Sequence, residues 1–152
     1  MTESFPSKVF TVEEVNRLIG TMETVMAEIE RLGNQVERHT RQLQILDVLW
    51  GPKLLDGENP DHAEFTEHQA AVDRAVERIQ GLVLDEILAR GIRFPPGGLK
   101  YGLLDFPTTL DGRCVYLCWK RGESSVDQWH EITGGFAGRR PVTSEQERRM
   151  GI

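Results

Sequence analysis

Apolar residues return at alternating intervals of three and four along the first third of the chain: Val15, Leu18, Met22, Val25, Ile29, Leu32, Val36, Leu43, Leu46 and Trp50, with His39 holding one place in the series. That spacing keeps a single stripe on one side of an α-helix. Its start is marked by Thr11 as N-cap, by Glu14 three residues later to complete a capping box, and by Phe10, placed to staple against Val15. The pattern predicts a helix over residues 12–49, about 57 Å long at 1.5 Å per residue. Gly33 weakens it by about 1 kcal/mol relative to alanine but leaves the stripe unbroken. Gly51-Pro52 ends it, and a polar, turn-rich stretch runs on to Pro60. A second stripe through Phe65, Val72, Ala75, Val76, Ile79, Leu82, Val83, Ile87 and Leu88 predicts a helix over 61–90, closed by Gly91 and the following Pro95-Pro96. The short connection makes the two helices antiparallel neighbours.

Beyond the prolines the period changes to two. The run from Tyr101 to Pro107 reads as a strand, Asp111-Gly112 as a hairpin turn, and Cys114 to Trp119 as the returning strand. In that second strand Val115, Leu117 and Trp119 point one way, and Cys114, Tyr116 and Cys118 the other. Trp129 to Ile132 forms a third short element, followed by a glycine-bounded loop from Gly134 to Arg139 and a polar tail expected to fray. The fold class is therefore α+β. A long antiparallel helical hairpin (residues 1–99) precedes a small antiparallel β layer (100–141) packed on the helices, and a polar tail (142–152) completes the chain. The excess length of the first helix predicts a homodimer whose paired hairpins make a four-helix bundle core.

Composition narrows the functional classes. The 152 residues include 24 acidic and 18 basic side chains, for a net charge of -6. The acidity sits in the first 99 residues, where 17 acidic residues face 10 basic ones. Such a balance argues against nucleic acid or an anionic membrane surface as partner. No run is long and apolar enough for a membrane span, and the opening residues do not have the pattern of a leader, so a cytoplasmic protein is expected. Cys114 and Cys118, four apart on a strand, lie about 13 Å from each other, beyond disulfide reach. They read as small buried hydrophobes.

Two groups of residues hold candidate chemistry. On the second helix Glu64 and His68 are one turn apart, a carboxylate–imidazole pair of the type that grips a divalent transition metal. The alternative, for His68 as for His39 in the seam of the first helix, is a hydrogen-bonded interface histidine that fixes register. The denser group lies in the β layer. His130 with Asp105 or Glu123 makes a general-base assembly, and His130 with Glu131 and a further carboxylate makes a metal site for zinc, iron or manganese. Trp119, Trp129 and Phe136 are candidate walls for a small ligand, and Arg113 and Arg139 are candidate clamps for an anionic group. Binding of a divalent transition metal or small ligand is the leading expectation. A protein-interaction scaffold built on the helical dimer is the first alternative, and a small hydrolase or isomerase with His130 as general base the second.

The segments GLLDFP (Gly102 to Pro107), GRCVYLCWKRGE (Gly112 to Glu123), WHE (Trp129 to Glu131) and GFAGR (Gly135 to Arg139), with FTVEEVNRLI (Phe10 to Ile19) ahead of them, resemble the bacterial domain-of-unknown-function family 2203. The likeness runs from about residue 10 to 141. It departs at Arg140, where the family pattern has glutamine, and in the proline-bearing loop between the helices. The resemblance implies a small cytoplasmic helical protein with a β-rich tail and implies no activity. It draws interest to Asp105, Trp119, Glu123, Trp129, His130, Phe136 and Arg139, which form its signature.

Overall fold

The computed structural model describes residues 8–152; the opening residues, on which the reading of a missing leader rests, lie outside that range. Helix α1 spans Val12–Trp50 and runs through a 3₁₀ turn, Gly51–Leu55, towards α2, His62–Leu82. The expected capping box forms: Thr11 Oγ1 accepts from the Glu14 amide at 3.1 Å, and Glu14 Oε1 accepts from the Thr11 amide at 3.2 Å. After α2 the helix widens into a π turn at Val83–Ile87, tightens into a 3₁₀ turn at Leu88–Arg90, and stops at Gly91 in the left-handed conformation. A short helix α3, Gly98–Tyr101, leads into a four-stranded antiparallel sheet of β1 (Leu103–Leu110), β2 (Arg113–Lys120), β3 (Gln128–Glu131) and β4 (Arg140–Pro141), in that spatial order. Helix α4, Ser144–Arg149, follows. Among the described residues, no helix is long and apolar enough to cross a membrane.

The chain gathers into two compact units, residues up to 26 with 84–152, and residues 27–83. In the first, one face of the sheet carries the core, with Leu104, Phe106, Leu110, Val115, Leu117, Trp119 and Trp129 all buried. The opening turns of α1 are its cover. Phe10 meets Phe106 edge to face at 5.4 Å, Asn16 Oδ1 accepts from the Val126 amide at 2.7 Å, and Glu23 Oε1 accepts from the Gly122 amide at 2.7 Å. The polar atoms of Asn16 and Glu23 thus satisfy loop amides that would otherwise lie at the helix surface without a strand partner.

In the second unit, the later part of α1 pairs with α2. Trp50 Nε1 donates to Asp61 at 2.7 Å and Leu54 is buried beneath the connection.

The tail departs from expectation. Rather than fraying, Thr143 and Gln146 form a reciprocal capping box that starts α4, and Met150 is wholly buried. Gly151, at φ +79°, donates to the Thr109 carbonyl at 3.3 Å and passes so close to the Phe10 carbonyl that a Cβ would sit 2.5 Å from it. A single apolar anchor in a charged segment has no periodicity to reveal it. Met150→Ala should therefore lower stability by about 2–5 kcal/mol, read from the urea midpoint, whereas Glu147→Ala on the exposed side of the same helix should leave the midpoint nearly unchanged.

A buried His, Asp and Cys cluster on the sheet

The hairpin of β1 and β2 turns through two residues, Asp111 at φ 53° and Gly112 at φ 78°. Both angles are positive, as a type I′ turn requires, and its twist matches that of the flanking strands. Counting back equally from this turn places Asp105 opposite Cys118. The Asp105 amide and carbonyl both face outward, exchanging 2.8 Å hydrogen bonds with Arg93 in a bridge along the β1 edge. Asp105 and Cys118 are thus a non-hydrogen-bonded pair, the kind in which facing side chains come closest. On the other side of β2, His130 lies opposite Tyr116 and so diagonal to Cys118, with its side chain on the same face.

The three side chains converge. His130 Nε2 lies 2.8 Å from Asp105 Oδ1, and the ligating atoms of Asp105, Cys118 and His130 are all within 4.8 Å of one another. All three residues are buried, His130 at 1% and Cys118 at 0% exposure. Tyr116 roofs the imidazole, ring to ring at 5.5 Å. His130 Nδ1 stands 2.6 Å from the Glu131 carbonyl, which can only accept, so Nδ1 bears a proton and Nε2 is the nitrogen turned to the cluster. Burial opposes a charge on this imidazole, but hydrogen bonding to Asp105 and Cys118 and to the Glu131 carbonyl outweighs it, raising the pKa from 6.5 to about 10. Without a metal, the cluster is an imidazolium–carboxylate pair beside a cysteine. It also has the composition of a divalent-metal site: one imidazole nitrogen, one carboxylate oxygen and one sulfur, with the histidine's far nitrogen tied to a carbonyl.

The remaining candidates are placed elsewhere. Glu123 does not orient His130. Its carboxylate takes the Arg139 guanidinium at 2.7 and 3.0 Å and the Lys120 amide at 2.6 Å, while Arg139 also donates to the Cys118 carbonyl at 3.2 Å. Glu131 turns to the opposite face from His130 and forms an exposed pair with Arg113, at 2.6 and 3.2 Å, which holds its carboxyl below the usual range. Trp119 and Trp129 also lie on that opposite face, inside the core, and do not wall a recess around His130. Trp119 Nε1 donates to the Glu123 carbonyl at 2.9 Å, and the Arg140 guanidinium lies over the Trp129 ring at 5.2 Å. Phe136 is partly exposed under the charges of Lys120 and Arg139. Glu64 and His68 belong to the helical unit, where His68 Nδ1 meets His39 Nδ1 at 2.9 Å and His68 Nε2 lies 3.4 Å from Glu64. The residue that sequence reasoning passed over is Cys118. The signal that finds it is the Asp111-Gly112 turn, which aligns Cys118 with Asp105.

Fold and site together define a helical-hairpin protein with a small open antiparallel sheet and a buried His/Asp/Cys cluster able to coordinate a metal ion. The chain belongs to the family described as uncharacterized conserved protein DUF2203, whose profile matches residues 8–142. That match spans all three cluster residues and ends just before α4. No curated protein and no solved structure matches the chain.

The raised imidazole has a consequence for the metal-free protein. A histidine at 6.5 when unfolded and about 10 when folded contributes stability that is fully present below about pH 6.5 and is lost as the pH climbs through about 10. Urea unfolding in the presence of chelator should show this decline between pH 6.5 and 10, and a His130→Gln protein should lack that part of the slope. A slope identical in the two proteins would remove the assignment.

Proposed function

We propose that this protein binds a divalent transition metal ion, zinc above all, through Asp105, Cys118 and His130. The observation that supports it best is the convergence of three chemically different ligand atoms, from three neighbouring strands, within 4.8 Å in a buried setting. Ligand atoms in a tetrahedral zinc shell lie about 3.3–3.8 Å apart, so the pair at 2.8 Å must open by about half an ångström to admit an ion. Sulfur and imidazole together favour zinc, iron or copper over magnesium or calcium. Burial favours an ion with a structural or regulatory role. A general base needs a nitrogen turned to its substrate, whereas both nitrogens of His130 face protein acceptors. The hydrolase or isomerase reading draws less support for that reason.

Protein purified without a polyhistidine tag should take up one equivalent of zinc or cobalt, and the cobalt form should show a sulfur-to-metal charge-transfer absorption. Cys118→Ser keeps the shape of the site and should abolish that absorption. Absence of metal uptake by the folded parent protein at micromolar metal would end the proposal.

A second feature supports self-association of the helical hairpin in the soluble compartment of the cell. Towards its end α1 presents Ile45, Val48 and Leu49 to solvent, and Leu55 follows in the connection, with Val48 86% and Leu55 74% exposed. Clustered apolar side chains of this size are ordinarily covered, and a second copy of the hairpin, as in a four-helix bundle, is the proposed cover. Light scattering on a sizing column should report a dimer at micromolar concentration, and Val48→Lys with Leu49→Lys should convert it to monomer; a monomeric parent protein throughout that range would count against the dimer.

A further inference from the structure

The helical unit has chemistry of its own. Arg38, His39, Arg41 and Gln42 of α1 and His68 of α2 line a cleft of about 350 Å³. A recess of about 270 Å³ is lined by the same Arg38 and His39, with Arg74, Leu32 and Ala75 among its other walls. Arg41 is held by Glu37 at 2.5 Å. Arg38 and Arg74, like Arg78, Arg93, Arg140 and Arg148, make no ion pair among the described residues, whereas Arg17, Arg31, Arg90, Arg113 and Arg139 each hold a carboxylate; of the arginines without one, Arg38 and Arg74 line the recess. The imidazoles of His39 and His68 are already hydrogen-bonded to each other, and their pair forms part of the cleft lining.

Charge decides what such a cleft takes. Two histidines near a glutamate invite a metal reading, but Arg38 and Arg41 line the cleft and Arg38 and Arg74 line the recess, and guanidiniums lining the same space disfavour a divalent cation. They favour a compact anion, which a guanidinium meets through two parallel N–H donors. In the recess, Leu32 and Ala75 add a small apolar surface beside the guanidiniums. We propose that the recess lined by Arg38, His39 and Arg74 binds the phosphate group of a small phosphomonoester, with Arg38 and Arg74 as the principal donors and the short organic body resting on Leu32 and Ala75. The site lies wholly within residues 27–83 and is independent of the cluster on the sheet.

The test is an amide NMR titration of the full chain with inorganic phosphate and, separately, glycerol phosphate, each against sodium chloride at matched ionic strength. The expected result is saturable shifts centred on Arg38, His39, Arg74 and Ala75, with glycerol phosphate the tighter ligand. Arg38→Ala and Arg74→Ala should each weaken binding by at least about tenfold. Arg148→Ala, on the exposed surface of α4, should leave it unchanged. Shifts that chloride reproduces, shifts that never saturate, or equal affinity in the Arg38 and Arg74 variants would overturn the site. Equal affinity for the two phosphates would overturn the role given to Leu32 and Ala75.

Discussion

The register of β1 against β2 is the constraint on which the sheet and its cluster depend. A two-residue turn at Asp111-Gly112, with both residues at positive φ, permits one alignment of the two strands. Slipping the pairing by one residue would turn every side chain of one strand to the wrong face. Phe106 and Leu104 would leave the core under α1, and Asp105 would enter it in their place. The same register that buries the hydrophobic face sets a carboxylate, a thiol and an imidazole together on the other. Glycine suits the second turn position because it adopts a positive φ without a Cβ penalty. Asp111 holds the first, with its carboxylate paired to Arg149 at the end of α4.

That arrangement places a polar group in a costly position. A buried carboxylate and imidazole stabilise a fold only if each is satisfied, and removing one partner strands the other away from water. Here the satisfaction is complete at both nitrogens of His130. Asp105 is tied through its backbone as well, by the bridge to Arg93, so that the segment following Gly91 works as a fifth short rail alongside β1. The chain between the helices and the sheet therefore does more than connect. It fixes the angle from which the Asp105 carboxylate approaches the imidazole.

Much of this was open to reading from residue order. The capping box at Thr11 and Glu14, the stop at Gly91, the hairpin turn and the alternation along β2 all rest on local rules, and each appears as the local rule requires. His130 was recognisable as a residue in need of a partner, but three carboxylates were eligible, and choosing Asp105 over Glu123 and Glu131 takes two strand registers and a face assignment together. Glu131 could have been set aside, since neighbours on a strand point to opposite faces. The same rule separates Trp129 from His130. Glu123 could not, because its position depends on how the loop after Gly122 folds back towards Arg139. Met150 was illegible for a different reason: one apolar residue after a six-residue helix has no pattern around it.

Charge neutrality is compatible with two states of the buried cluster, the metal-free one and the proposed metal-bound one. Without metal, an imidazolium beside a carboxylate and a neutral thiol sums to no net charge. With a divalent ion, a neutral imidazole, a carboxylate and a thiolate also sum to none. Every intermediate combination leaves an uncompensated charge in a dry interior, where it costs several kcal/mol or more. The proposed ion would be held by Nε2 of a neutral imidazole, a carboxylate oxygen and a thiolate, so its binding would release protons. The Nδ1 bond to the Glu131 carbonyl orients the ring with Nε2 towards Asp105, the direction from which the proposed ion would be held. A cluster of this composition, held in one register by a turn whose backbone has no second solution, is preorganised for an ion while remaining a satisfied part of the core without one.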